Sequence, residues 1–179
     1  SRGLGDVYKR QESVDALRAR DVRRLADLGL TQDSSIPASF ALYDQVLDAI
    51  LATGAVPTRF ADLADEDGRL DRDASFVLAR GDEARGPLEM TKWFNTNYHY
   101  LVPEIGPQTP FAADPRELIG QFRAGNGDSD TPLRPALLGP VSFLLLSKAD
   151  DAAPEGFDPL DRLDDLVAVS YTHLTLPTP

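Results

Sequence analysis

Helix-like and strand-like segments alternate along these 179 residues without any internal repeat, and that order constrains the fold more than any single motif does. Such alternation predicts βα units built on a parallel sheet. Ser13 to Leu28 reads as helix, with Val14, Leu17, Leu25 and Leu28 as an apolar stripe and Gly29 as C-cap. A short strand falls between Leu30 and Phe40, weakened by Gln32 to Ser35 and by Pro37. Phe40 to Ala52 is a second helix, whose Leu42, Val46, Ala49 and Ile50 share a face and which stops at Thr53-Gly54. Pro57 to Leu70 is polar and acidic with a turn at Asp67-Gly68, Asp71 to Arg80 is a short helix, and Arg80 to Pro87 is loop.

The second half continues the pattern. Pro107 to Thr109 is a turn, and Asp114-Pro115-Arg116-Glu117 opens a helix with an Asp cap and Pro in the first turn. Gly125 to Thr131 reads as linker. Leu133 to Leu138 reads as a short apolar strand ended by Gly139-Pro140, Val141 to Ser147 is apolar again, and Asp158 to Val167 begins another helix. About three strands are visible, too few to close a barrel. The expectation is an incomplete α/β domain.

One segment stands out chemically. Glu89 to Glu104 holds the only Trp and the only Met, with Tyr98, His99 and Tyr100, in a chain that is only 8% aromatic. Read as a single extended strand from Trp93 to Tyr100, it puts Phe94, Thr96, Tyr98 and Tyr100 on one face and Trp93, Asn95, Asn97 and His99 on the other. Buried amides need hydrogen-bond partners, so the second face is expected to look onto a polar network, a cavity or a ligand.

Composition excludes several functions. Acidic residues outnumber basic ones 29 to 18, a formal charge of -11, which disfavours nucleic acid and anionic membrane as partners while leaving room for a local anion site. With no Cys there is no disulfide, thiolate nucleophile or Cys-based zinc site in these residues. No apolar run is long enough for a membrane span and no signal-peptide pattern is present, so a cytoplasmic location is expected.

The run EMTKWFNTNYHY, Glu89 to Tyr100, closely resembles the N-terminal domain of the cobalamin-independent methionine synthase family. Further similar stretches follow in the same order: Leu17 to Arg20, Phe40 to Asp48, Gly54 to Phe60 and Leu137 to Lys148. The last is similar to a family strand and turn. Together they cover roughly Leu17 to Val167. Residues 1–11 and 169–179 instead resemble translated adapter sequence, so the native part is expected to be 12–168, cut at both ends.

The resemblance implies an α/β fold that is part of a (β/α)8 TIM barrel, about three to four βα units and incomplete. It also implies a parent methyltransferase, and this fragment by itself is expected to be inactive. That parent moves the methyl group of 5-methyltetrahydropteroyltri-L-glutamate to homocysteine, using zinc bound by His and Cys of a C-terminal barrel that this chain lacks. The implied partners are that barrel and small-molecule folate, in a monomeric parent, with no metal held by these residues and no catalytic residue among them. Lys92 matches the family lysine that binds the folate polyglutamate tail, and a flexible ammonium suits a chain of carboxylates. The bland reading pairs Lys92 with Glu89 or Glu83. Trp93, Asn95, Asn97, His99 and Ser142 are further candidates for substrate binding, each with a structural reading beside it: core packing for Trp93, a satisfied buried network for the two amides and His99, a helix cap for Ser142. An early Arg-Glu-Leu-Lys segment that grips the same ligand in the family has no match here, and Ser39 stands where related sequences place Asp. Two other classes compete: a (β/α)8 hydrolase using paired carboxylates such as Asp44 and Glu104, and a non-catalytic packing module.

Overall fold

The computed structural model describes residues 16–30, 36–37, 44–127 and 133–174. These fall into two compact units, Ser1–Leu42 with Arg116–Leu137 and Tyr43–Pro115 with Leu138–Pro179.

In the first unit, helix α1 (16–27) buries Val22 against Leu25, Leu30 and Phe122. Gly29, at φ 91°, ends it as expected. Its N–H bonds to the Ala26 carbonyl at 2.9 Å, and the Leu30 N–H reaches back to Leu25 at 3.3 Å, the paired closure that a left-handed residue permits. Strand β1 (Ile36–Pro37) pairs in parallel with β5 (Leu133–Arg134), and α4 (Arg116–Gly127) lies between them in sequence. The helical backbone of α4 extends through Gly125–Gly127, part of what reads in sequence as linker; residues 128–132 lie outside the described residues. The apolar strand expected over 133–138 is limited to its first two residues, because Pro135 cannot donate to a ladder.

The second unit holds the larger core. Helix α2 (Gln45–Thr53) starts later than the Phe40 expected from periodicity; Asp44 takes the N-cap, and residues 40–43 lie outside the described residues. Asp44 Oδ1 accepts from Val46 N–H at 2.7 Å and Leu47 N–H at 2.9 Å. Gly54 ends α2 at φ 63°, where a Cβ would stand 2.5 Å from the Ala112 carbonyl oxygen, so only glycine fits. A 3-10 turn (Thr58–Leu63) leads to α3 (Arg72–Arg80), which fills the helix expected from Asp71 to Arg80 with Asp71 as its N-cap. Val46 and Ile50 of α2, Phe60, Leu78 of α3, Leu101, Ile105, Phe143, Leu144 and Leu166 are all buried in one cluster. Each such side chain contributes roughly 1.5–3 kcal/mol by leaving water.

Two short sheets complete this unit. Strand β4 (Glu104–Ile105) pairs in parallel with β6 (Lys148–Ala149), the predicted βα geometry. Strands β2 (Met90–Lys92) and β3 (His99–Leu101) form an antiparallel hairpin, which departs from the single strand read in the sequence. The stretch 141–147 is another departure: α5 (Pro140–Leu145) is helical, with Gly139 as its N-cap and Pro140 in the first turn. It is apolar because Phe143 and Leu144 point into the core, not because it is a strand. The capped 3-10 turn Pro159–Arg162 then leads into α6 (Leu163–Leu174). Asp158 and Asp161 cap each other's backbone there, so both carboxylates help start the helix. The fold is α/β with three two-stranded sheets, and no barrel closes among the described residues.

Candidate functional site

Local hydrogen bonding explains why the aromatic run turns back on itself. Asn95-Thr96-Asn97 is rich in residues whose side chains compete for backbone groups. The Thr96 hydroxyl donates to the Trp93 carbonyl at 2.6 Å and accepts from the Tyr98 N–H at 3.2 Å, while the Trp93 N–H reaches the Tyr98 carbonyl at 2.8 Å. Phe94 sits at φ 49°, a left-handed conformation that costs an L-residue about 1–2 kcal/mol. Alternation of faces therefore ends at Trp93, and the two-faced strand is corrected to a loop between two short strands that pair with each other.

The hairpin is fastened at its base. Asp44 Oδ2 accepts from the Leu101 N–H at 3.2 Å, so one buried carboxylate caps α2 and holds β3. Burial raises the Asp44 pKa against the pull of three backbone donors, from Leu47, Leu101 and Val46. The Tyr98 hydroxyl oxygen accepts from the Gln45 N–H at 3.2 Å, and the buried Tyr100 hydroxyl donates to the Leu146 carbonyl at 3.1 Å. Burial raises both phenols; nearby Asp44 and Asp48 add to the effect on Tyr98, as Glu89 and Asp44 do on Tyr100.

The predicted site residues divide accordingly. Lys92 is exposed, directly opposite His99 in the ladder, and makes no ion pair among the described residues. The bland reading, in which it pairs with Glu89, is not what occurs: Glu89 is taken by Lys148 at 3.1 Å. Trp93 is half-buried against the core and meets Phe94, Tyr98 and Tyr100 edge to face, with centroids 5.8–6.0 Å apart. Asn95, Asn97 and His99 are exposed, so they do not form the buried network weighed for them. The His99 Nδ1 lies 3.0 Å from the Asn97 carbonyl. Ser142 is exposed inside α5, neither a cap nor a neighbour in the hairpin ladder.

Below the hairpin lies an ionic network that periodicity does not reveal. Arg59 donates to both oxygens of buried Glu104, at 2.8 and 3.1 Å, and to the carbonyls of Gly86 and Pro87. Lys148 adds a contact to Glu104 at 3.6 Å beside its bond to Glu89. Burial disfavours the Lys148 ammonium, but the two carboxylates outweigh it and raise its pKa. The guanidinium groups of Arg59 and Arg85 both lie over the buried Phe60 ring, 4.3 and 5.2 Å from its centroid. Arg59 and Glu104 are 45 positions apart, so no local spacing announces the pair. The sequence reading puts Asp44 inside a helix starting at Phe40, so neither its role as the cap of α2 nor its hold on Leu101 is legible there.

These contacts answer the paired-carboxylate reading. Asp44 is occupied by three backbone N–H groups and Glu104 by Arg59 and Lys148, so the two do not act as a free acid and nucleophile. Among the described residues no group of three or more His, Cys, Asp or Glu could hold a metal ion, and the sequence has no Cys. The residues here do not fit a zinc centre.

Comparison with known proteins agrees with the hairpin sequence. The family model described as "Cobalamin-independent synthase, N-terminal domain" matches residues 6–175. A 5-methyltetrahydropteroyltriglutamate–homocysteine methyltransferase of Mycobacterium leprae (strain TN) is 43% identical over 166 residues, 92% of this chain and 20% of that protein. Proteins of the same name from Rhodococcus jostii (strain RHA1) and Streptomyces coelicolor (strain ATCC BAA-471 / A3(2) / M145) are 48% and 45% identical over 87% and 89% of this chain. The chain spans 20% of the length of each of these relatives. Matched over nearly all its length to one domain model, the chain belongs to the cobalamin-independent synthase family and corresponds to part of its N-terminal domain.

Proposed function

We propose that this chain is the folate-side portion of an enzyme that transfers the methyl group of 5-methyltetrahydropteroyltriglutamate to homocysteine, and that Lys92 holds the glutamate tail. The observation that carries this reading is the exposed ammonium of Lys92 on a fastened hairpin, without a carboxylate partner among the described residues, in a chain matched to this family. An ammonium left open in a protein with net charge -11 suits a polyanionic ligand better than another protein carboxylate does. Trp93 stiffens the hairpin from beneath, while Asn95 and Asn97 offer exposed amides at its tip; Ser142 offers an exposed hydroxyl on α5.

The remainder of the enzyme supplies the chemistry. A C-terminal barrel, absent from these residues, carries zinc and the homocysteine site, and docks onto this domain within one monomeric, cytoplasmic chain. Residues 12–168 hold the native barrel segment, and the family match runs a few residues past each end of it, over 6–175. The 179-residue chain alone therefore has no methyltransferase activity.

In the full-length enzyme, Lys92→Ala is expected to raise the folate KM with little change in kcat or in homocysteine KM. A contact distant from the methyl group binds ground and transition states alike. One charge-assisted contact is worth about 1.5–3 kcal/mol when sheltered and less at an exposed ammonium such as that of Lys92. An unchanged KM for the triglutamate substrate removes Lys92 from the tail site.

A further inference from the structure

Lys92 does not stand alone on its face of the hairpin. The ladder register sets it directly across from His99, and cross-strand partners carry their Cβ atoms about 4.5–5.5 Å apart on the same side of a sheet. Both side chains are exposed. The carboxylates that would compete for them are engaged elsewhere, Glu89 by Lys148 and Glu104 by Arg59 and Lys148. From β3's packing neighbour α2, Asp44 lies buried with its oxygens on backbone donors, and Asp44 and Asp48 contribute negative potential at neighbouring Tyr98.

The His99 ring is oriented by its own turn. Nδ1 lies 3.0 Å from the Asn97 carbonyl, and a carbonyl oxygen can only accept, so Nδ1 carries the hydrogen of that bond. In the neutral ring Nε2 is then a bare lone pair, which repels an anion. In the imidazolium ring Nε2 carries a hydrogen and donates. The contact with Asn97 is kept in both states, so only the outward nitrogen changes character.

We propose that His99 is a second, proton-gated contact for the carboxylates held by Lys92, making ligand affinity rise as the solution is acidified. The proposal rests on the assignment of Lys92 to a polycarboxylate tail. Imidazole is the side chain that normally changes charge between about pH 5 and 8, whereas glutamate carboxylates and a lysine ammonium keep their charges across that range. One added donor then strengthens binding without altering the Lys92 contact. Its effect at an exposed position is about 1.5- to fivefold in affinity.

The test uses the 179-residue chain and an N-acetylated γ-linked triglutamate, which has no titrating amine. Binding is followed at pH 8, 7 and 6 at constant low salt for the unmodified chain, His99→Gln and Lys92→Ala. Imidazole nitrogen resonances are recorded alongside, with His173→Gln assigning the signal of the other histidine. The expected result is an affinity that rises toward pH 6 in the unmodified chain, stays level in His99→Gln and is weak throughout in Lys92→Ala. The free neutral ring should show its hydrogen on Nδ1. A pH response undiminished in His99→Gln, or an Nε2-protonated neutral ring, overturns the role of His99 while Lys92 keeps its own. Undiminished binding in Lys92→Ala overturns the tail assignment beneath it, and absence of binding in the unmodified chain overturns both.

Discussion

Lys92 and Lys148 are both strand lysines in the same compact unit, yet they do opposite work. Lys148 stands at the start of β6, shared between Glu89 and Glu104, and Glu104 is further gripped by Arg59. Lys92 ends β2 beside a six-residue turn, exposed and without an ion pair among the described residues. Near the core, each charge has a partner and the partners tie distant segments together. At the hairpin the fold fixes the backbone but leaves the cation unanswered. A charge already answered stabilises the fold, and one left open is available to a ligand.

The sharpest way to break this comparison is in the anchored region. Arg59→Met leaves the buried Glu104 carboxylate with Lys148 alone and deprives the Gly86 and Pro87 carbonyls of their donor. Breaking a buried ion pair costs about 3–5 kcal/mol, and because Arg59 is partly exposed the loss is expected near the lower end. Urea denaturation measures it. A loss under about 1 kcal/mol would make the network ornamental surface charge.

Asp150 gives the same region a pH signature. Burial acts to raise its pKa, but N–H donors from Ala152 and Thr58, with the nearby charge of Arg59, outweigh it and leave the carboxyl below its usual value. The sign follows: its stabilisation is present above the ordinary aspartate value of about 3.9 and is lost as pH falls through the depressed folded value. Asp150→Asn is expected to cost around 1 kcal/mol at pH 7 through weakened hydrogen bonds. The difference from the unmodified chain should shrink in acid; a difference that grows in acid would reverse the assignment.

Two smaller effects sharpen the other side. Phe94→Gly removes an L-residue from φ 49° at the expense of an exposed edge contact with Trp93. Stability is expected to rise by up to about 1 kcal/mol in thermal or urea unfolding; a clear loss would show that the Phe94 ring holds the hairpin. Lys92→Ala is expected to change stability by less than about 0.5 kcal/mol, as for a surface position without partners. A larger loss would place Lys92 with Lys148 among the structural charges.

Much of the frame was legible in the residues themselves. The helices at 16–27, Gln45–Thr53 and Arg72–Arg80 follow from apolar spacing and, for the first two, from the glycines that stop them, because a helix repeats within four residues and its ends have strong chemical preferences, though the spacing starts the second at Phe40. The run around Lys92 also marked the family and the candidate tail contact. Short apolar runs were harder: Val141 to Ser147 and Leu133 to Leu138 look alike to a periodicity argument, yet one is mostly helix and the other scarcely a strand.

What the sequence determined by itself was the set of local elements, the α/β class and the family, since these depend on contacts and patterns close along the chain. Only the tertiary structure decided that the aromatic run is a hairpin, that Asp44 serves both α2 and β3, and that Glu89 and Glu104 are claimed by Lys148 and Arg59 while Lys92 is left exposed. The hold of Asp44 on Leu101 and the pairing of Glu104 with Arg59 and Glu89 with Lys148 join partners 45 to 59 positions apart. Charge and hydrogen bonding specify which groups can pair, but only folding brings one pair within 3 Å and keeps another apart.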